Sequence, residues 1–228
     1  MKTFVNRFAL LFAAAVFVAP ALAQNAAPST PPPDALVKTV TLEVVELIAK
    51  DKEIRGGNRA KLIGLINDKV LPHFNFVSMA ALAMGQSWNK ATPDQKKRVT
   101  EEFRTLLVRT YSSALAAYST QKFDFRPLRA KPTDTDVTVN VRVIQVRSDL
   151  LDVSQILEEA ALDKYVFQRD AYFQRRRSLV YDVMVGGVSL VANYRTEFNN
   201  QVRDVGIDGL IKNLSAKNRS LEGGAVKQ

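Results

Sequence analysis

Residues 136–144 read DVTVNVRVI. Val137, Val139, Val141 and Val143 fall on one side of an extended chain, and Thr138, Asn140 and Arg142 on the other. That alternation is a strand with one buried face. Lys122–Leu128, KFDFRPL, alternates in the same way, and Leu179–Val185 is a third strand-like run. Upstream of these the period is helical. Leu36, Val37, Val40, Val44, Leu47 and Ile48 recur at helical spacing after Asp34, which is expected to cap the helix, and Gly56-Gly57 ends the run. A second helix is expected from Asn58 to the break at Leu71-Pro72, and a third over Asn75–Met84 with Gly85 as its C-cap. Thr92-Pro-Asp-Gln95 is a capping box with proline at the first helical position, opening a helix to about Tyr118. Beyond the last strand, helices are expected over Val188–Arg203 and Ile207–Lys217. Helices, then strands, then helices give an α+β domain, with helices packed on one face of an antiparallel sheet.

One stretch departs from this pattern. Between Thr133 and Val185 there is neither glycine nor proline, so the turn chemistry of a hairpin is missing. Within residues 146–178, Leu150, Leu151, Val153, Ile156, Leu157, Ala160, Ala161 and Val166 suggest a helix instead, followed by the basic run Arg175-Arg176-Arg177.

The chain has 228 residues, a formal net charge of +9 and no cysteine. Lys2 and Arg7 precede an apolar run over Phe8–Val18, and Ala21-Leu22-Ala23 has the small-x-small form of a cleavage site. Residues 1–23 therefore read as a secretory signal peptide cut after Ala23. The run is short of the roughly 20 residues that span a bilayer. Residues 24–33 form a Pro/Ser/Ala linker, residues 34–217 the folded domain, and residues 218–228 a loose polar tail. Export places the protein in a compartment without nucleotide pools or, ordinarily, nucleic acid. The mature chain keeps 30 basic and 23 acidic residues, a balance that suits both solubility and approach to an anionic membrane surface.

Candidate chemistry is sparse. His73, the only histidine, lacks the cysteines or tight acidic cluster of a metal site and reads as a helix-end residue; no metal is expected. Glu101-Glu102 and Glu158-Glu159 are sequence neighbours that point apart on a helix. Gly186-Gly187 precedes a helix without a nucleotide-binding pattern, so it reads as a sharp turn. Arg126, Arg129, Lys131 and the Arg175 cluster lack the interleaved aromatics of a nucleic-acid surface, and no nucleic acid is expected. Asp182, beside Tyr181 in an apolar strand, could serve as a buried base, which keeps open an isomerase or hydratase reading. The valine face is either filled core or the wall of an apolar pocket; periodicity alone does not separate the two.

Leu71-Pro72, Met84-Gly85, Trp88, Ala91-Thr92, Gln95, Phe103, Leu106-Leu107 and Thr110-Tyr111 together resemble the MlaC family of periplasmic phospholipid-binding proteins, also called the toluene-tolerance family. Tyr181-Asp182, Gly187-Val188-Ser189, Tyr194-Arg195, Phe198 and Gly206-Ile-Asp-Gly-Leu210 extend the likeness. It covers about Leu36–Gln145 and Val180–Leu214. The resemblance implies a nuclear-transport-factor-like α+β sheet with helices enclosing a cavity for phospholipid tails. It also implies a monomeric, non-enzymatic periplasmic carrier without cofactor, whose cargo is phospholipid. Its partners would be an inner-membrane ABC transporter with an MCE-domain protein and an outer-membrane lipoprotein–porin complex, in the service of outer-membrane lipid asymmetry. Combined with the periodicity, it points to Leu107, Tyr111, Val139, Val141, Val143, Val183, Val185, Val188 and Val191 as lipid-contacting residues, with an inward charge at Val141 expected to block loading. Asn75 stands where the family has Asp. Residues 146–178 stand where the family has a hairpin ending in a Gly-Trp-Lys-like turn. An insertion or a pair of compensating frameshifts accounts for that departure, and the frameshift is the preferred reading.

Overall fold

The computed structural model describes residues 31–117, 121–131, 134, 136–144, 159–160, 164–169, 178–185 and 188–223. Helix α1 spans Pro33–Lys50. It begins one residue before Asp34, because the Pro32-Pro33 pair sets the backbone angles of a first turn that needs no amide donor there; Asp34 lies in the first turn instead of capping it. Asp51 ends α1 and caps a single turn, α2 (Lys52–Arg55), accepting from the amides of Glu53 and Ile54. Asn58 caps α3 (Arg59–Lys69) through the Lys61 amide, and Leu71–His73 form a 3-10 turn. Asn75 caps α4 (Phe76–Met84) through the Ser78 amide, so asparagine does at this position what the family's aspartate would do. After the turn α5 (Ser87–Lys90), the capping box closes as read: Gln95 N–H donates to Thr92 Oγ1 at 3.2 Å and Thr92 N–H to Gln95 Oε1 at 3.0 Å. It opens α6 (Pro93–Ala117).

Residues 136–144 keep one inward face throughout, but they are not one strand. The chain pairs as β2 (Asp136–Val139) on one side of Asn140 and as β3 (Val141–Ile144) on the other. β3 lies between β1 (Lys122–Phe125) and β4 (Glu159–Ala160); β2 lies at the edge of a second sheet whose order continues β5 (Lys164–Arg169), β6 (Ser178–Val185), β7 (Val188–Ser189). Every pairing in both sheets is antiparallel. The stretch thus turns a corner from one sheet to the other, as a strand bent at a single residue does.

The helix expected over 150–166 is corrected where the chain is described. Residues 159–160 and 164–169 are strands, and β5 fills the space between β2 and β6. Open strand edges carry rows of amides and carbonyls that need partners. Tyr165, Val166 and Phe167 are good strand formers. Backbone pairing does not depend on side-chain identity, so an atypical sequence can still complete the sheet. The remainder of 146–177, including Arg175–Arg177, lies outside the described residues, as do the expected signal peptide, residues 24–30 of the expected linker, and Gly186-Gly187.

The last helical region, α7, runs from Leu190 to Gly223 and is broken at Gly206, whose φ of 73° and ψ of 178° are not helical. The helix expected from Val188 starts two residues later, because Val188 and Ser189 first pair back onto β6. At the other end, residues 218–223 are helical rather than loose. Asn218 is buried, its Nδ2 donates to Glu102 O at 2.9 Å and to Glu102 Oε2 at 2.6 Å, and Arg59 Nη1 donates to Leu221 O at 3.1 Å. A polar stretch with specific partners on two helices does not fray.

Two bodies of packing frame the interior. In the larger, α4, α6 and α7 meet around Phe103, whose ring stands edge-on to Tyr194 and Phe198, each at 5.1 Å. In the smaller, Val44 and Ile48 of α1 pack on Ile54, Leu62 and Ile66. Val37, nearer the start of α1, rests on Val139, Val141 and Val180 of the sheets. α1 is thereby fixed to α3 at one end and to the strands at the other.

Candidate functional site: an apolar cavity under the first helix

Between these anchor points α1 roofs a cavity of about 430 Å³. The helix contributes Leu36, Val37, Val40, Thr41, Val44 and Val45. This apolar arc is wider than packing on α3 requires: Val37 and Val44 are buried in protein contacts, whereas Leu36, Val40, Thr41 and Val45 stay half-exposed toward the cavity. The facing wall is α6, with Leu107, Val108, Tyr111, Ser112 and Ala114. Ile66, Val70 and Leu71 of α3 and the turn after it, with Phe74, Phe76 and Met79, close the far end. Phe123, Val180, Val183 and Leu190 supply the sheet side. Along α6 the wall passes from exposed Ala114 to buried Leu107, so the rim lies toward the C-terminal end of that helix.

Polar groups in the wall are few: Thr41, His73, Tyr111 and Ser112. His73 is therefore part of the cavity wall. Tyr111 hydrogen-bonds Tyr194 behind the wall; burial first, and then Tyr111, push the Tyr194 phenol well above the ordinary tyrosine range. Among the described residues no group of three or more His, Cys, Asp or Glu could hold a metal ion, and no helix is long and apolar enough to cross a membrane.

Of the nine residues singled out from the sequence, Leu107, Tyr111 and Val183 lie in this wall. Val139, Val141 and Val143 are buried instead among protein side chains, at 1%, 3% and 0% exposure, and outside the lining. A charge at Val141 would consequently break the sheet core rather than merely block a pocket. Val191 is buried in the helical core, and Val188 stands 59% exposed at the sheet edge. The Val185 side chain lies outside the described residues. The largest omission is the α1 wall: its signal was the breadth of the apolar arc, eight apolar residues from Leu36 to Ile48 of which three, Val37, Val44 and Ile48, are the buried anchors.

Asp182 is occupied elsewhere. Its Oδ1 accepts from the amides of Val183 at 2.8 Å and Val191 at 3.2 Å, and its Oδ2 accepts from Ser189 Oγ at 2.6 Å. Ser189 Oγ in turn accepts from the Ala192 amide at 2.9 Å. The pair satisfies the open amides at the start of α7. Neither Asp182 nor Tyr181 lines the cavity. The basic residues after β1 are interleaved with acids: Arg126 Nε pairs with Asp124 at 3.2 Å, and Arg126 and Arg129 share a polar depression with Asp134 and Asp136.

The model of the family described as MlaC protein matches residues 38–216. Among solved structures, the phospholipid-binding protein from Ralstonia solanacearum, in complex with a phospholipid, is similar with a TM-score of 0.71 and 32% identity, over 83% of this chain and 98% of that one.

Proposed function

This chain belongs to the MlaC family, and we propose that it is a periplasmic phospholipid carrier that holds acyl tails in the cavity beneath α1. The observation that carries this reading is the cavity itself: a void walled by aliphatic and aromatic side chains from α1, α3, α4, α6 and β6, in a chain whose similar solved structure is that of a phospholipid complex. An unfilled apolar void of this size forfeits packing on every wall. Tails restore it.

Burying a chain contributes ~0.8 kcal/mol per methylene. Each methylene that leaves water for the cavity adds to that gross term, from which the cost of ordering the tails is subtracted. Loss of such a lipid to water is slow, so transfer takes place where a partner supplies a continuous apolar path. The partners in this reading are an inner-membrane ABC transporter bearing an MCE-domain protein and an outer-membrane lipoprotein–porin complex, between which the protein shuttles as a monomer after removal of residues 1–23. The headgroup stays hydrated at the rim, and affinity resides in the tails. A catalytic role for Asp182 is not proposed, because both of its oxygens serve the start of α7.

Native mass spectrometry of the protein purified from the periplasm tests the reading. A co-purified diacyl lipid in one-to-one ratio supports it; a chain that emerges bare, and stays bare after incubation with phospholipid vesicles, refutes it.

A further inference from the structure

One side chain in the cavity wall is out of keeping with its neighbours. Ser112 is fully buried at 0% exposure, it borders the cavity, and its hydroxyl has no hydrogen-bond partner among the described residues. A serine in a helix has an easy local partner in the carbonyl four residues back, and Thr100 and Thr105, earlier on the same helix, both use it, at 2.7 Å and 2.9 Å. Ser112 does not. A buried hydroxyl left unmade destabilises a fold, and alanine at the same place would remove the penalty at almost no loss of volume.

We infer that Ser112 is a specificity residue that donates its hydroxyl to an ester carbonyl of the lipid, so that the cavity selects ester-linked acyl lipids over ether-linked ones. This rests on the carrier reading and adds the linkage chemistry of the cargo. The position fits. Ser112 and Ala114 both border the cavity, about 3 Å apart along the axis of α6 at 1.5 Å per residue, and Ala114 is exposed. A phosphate held in water at the rim places the glycerol esters next, just within the wall, and the methylenes beyond them against Leu107, Met79 and Ile66. Acyl tails carry no acceptor of their own. The ester carbonyls are the only acceptors that enter an apolar cavity with a glycerophospholipid. The hydroxyl is shut off from water in the structure; under this inference it meets the ester once the tails part the wall.

The test is competitive loading from vesicles holding equal amounts of a diacyl phosphatidylglycerol and its dialkyl ether analogue of the same chain length, read by native mass spectrometry. The wild-type protein should load the diacyl lipid about fivefold over the ether lipid, the ratio that one neutral hydrogen bond of roughly 1 kcal/mol gives. Ser112→Ala should take up less of the diacyl lipid, bringing the ratio near one, and its melting temperature should be equal to or above that of the wild type. A wild-type ratio near one, or a preference that survives in Ser112→Ala, overturns the inference and leaves the carrier reading standing. A melting temperature lowered by several degrees in Ser112→Ala overturns it as well, since the hydroxyl would then have a partner in the fold. Failure of both lipids to load in the wild type removes the carrier reading, and this inference with it.

Discussion

Val40→Glu tests whether the surface beneath α1 is a lipid wall. Val40 is half-buried and faces the cavity. Without cargo, a glutamate there can reach solvent past the half-exposed Leu36 and Thr41, so the fold should lose little. With tails in place, the carboxylate must either give up its water or take up a proton. Stripping the ion costs several kcal/mol. Protonation is the cheaper route: for an ordinary glutamate pKa of about 4.3, neutralising it at pH 7.3 costs three units at about 1.36 kcal/mol each, or about 4 kcal/mol. Loading should therefore fall by about a thousandfold at pH 7.3 and recover progressively toward pH 4. The isosteric Val40→Gln carries no charge, should lose far less, and should show no such pH dependence. Extraction of a fluorescent phospholipid from vesicles, followed across that pH range, gives the numbers. Wild-type loading by Val40→Glu at pH 7.3 would refute the placement of α1 against the tails. Val141→Glu serves as the contrast. Its site is 3% exposed and filled by protein, so that variant should fail to accumulate as soluble protein at any pH.

Two further outcomes follow from the same structure. The Tyr194 phenol titrates far higher in the fold than the value near 10 of an unfolded tyrosine; above pH 10 the unfolded chain releases a proton that the folded one keeps, so the contribution is complete below pH 10 and is lost as pH rises, by up to about 1.36 kcal/mol per unit. Urea unfolding at pH 9 and pH 11 should show that loss, and Tyr194→Phe should reduce it; an unchanged slope in the phenylalanine variant would assign the alkaline loss to other groups. Asp182→Ala strips the partners from Ser189 and the Val191 amide and should lower unfolding free energy by roughly 1–3 kcal/mol while lipid loading of the folded fraction is kept; full stability with lost function would return Asp182 to the list of active groups.

How far the sequence could be read depended on whether a feature is local. The capping box was legible because its chemistry spans four residues, and Thr92 and Gln95 pair as their spacing demands. The kink at Gly206 was legible for the same reason. Asp34, expected to cap α1, lies in its first turn because the Pro32-Pro33 pair starts the helix earlier. Residues 159–160 and 164–169 were misread because their structure is imposed from outside, by edges of β2, β3 and β6 that are remote in sequence. The helical end of α7 was missed because Asn218 looks like any polar tail residue until Glu102 and Arg109, more than a hundred positions away, are seen to hold it.

The cavity itself belongs to a third category, neither local nor imposed by pairing. A strand shows the same alternation whether its inward face meets side chains or a void, so Val139, Val141 and Val143, which are core, could not be told from Val183, which is wall. A helix is more informative. Packing one helix on its neighbours consumes a stripe, and residues beyond that stripe that remain apolar have to face something else. In α1 the stripe is Val37, Val44 and Ile48, and Leu42 and Leu47 are exposed outside the cavity; the remaining apolar residues are Leu36, Val40 and Val45, the first two packed in part against the same clusters. Those three flank the stripe, stay half-exposed, and all line the cavity. Were they ordinary surface residues, nothing would require them to gather on one side of the helix opposite Tyr111 and Phe123. Apolar width beyond a helix's anchors thus points to a cavity only where the surplus gathers on one side, as Leu36, Val40 and Val45 do and the exposed Leu42 and Leu47 do not.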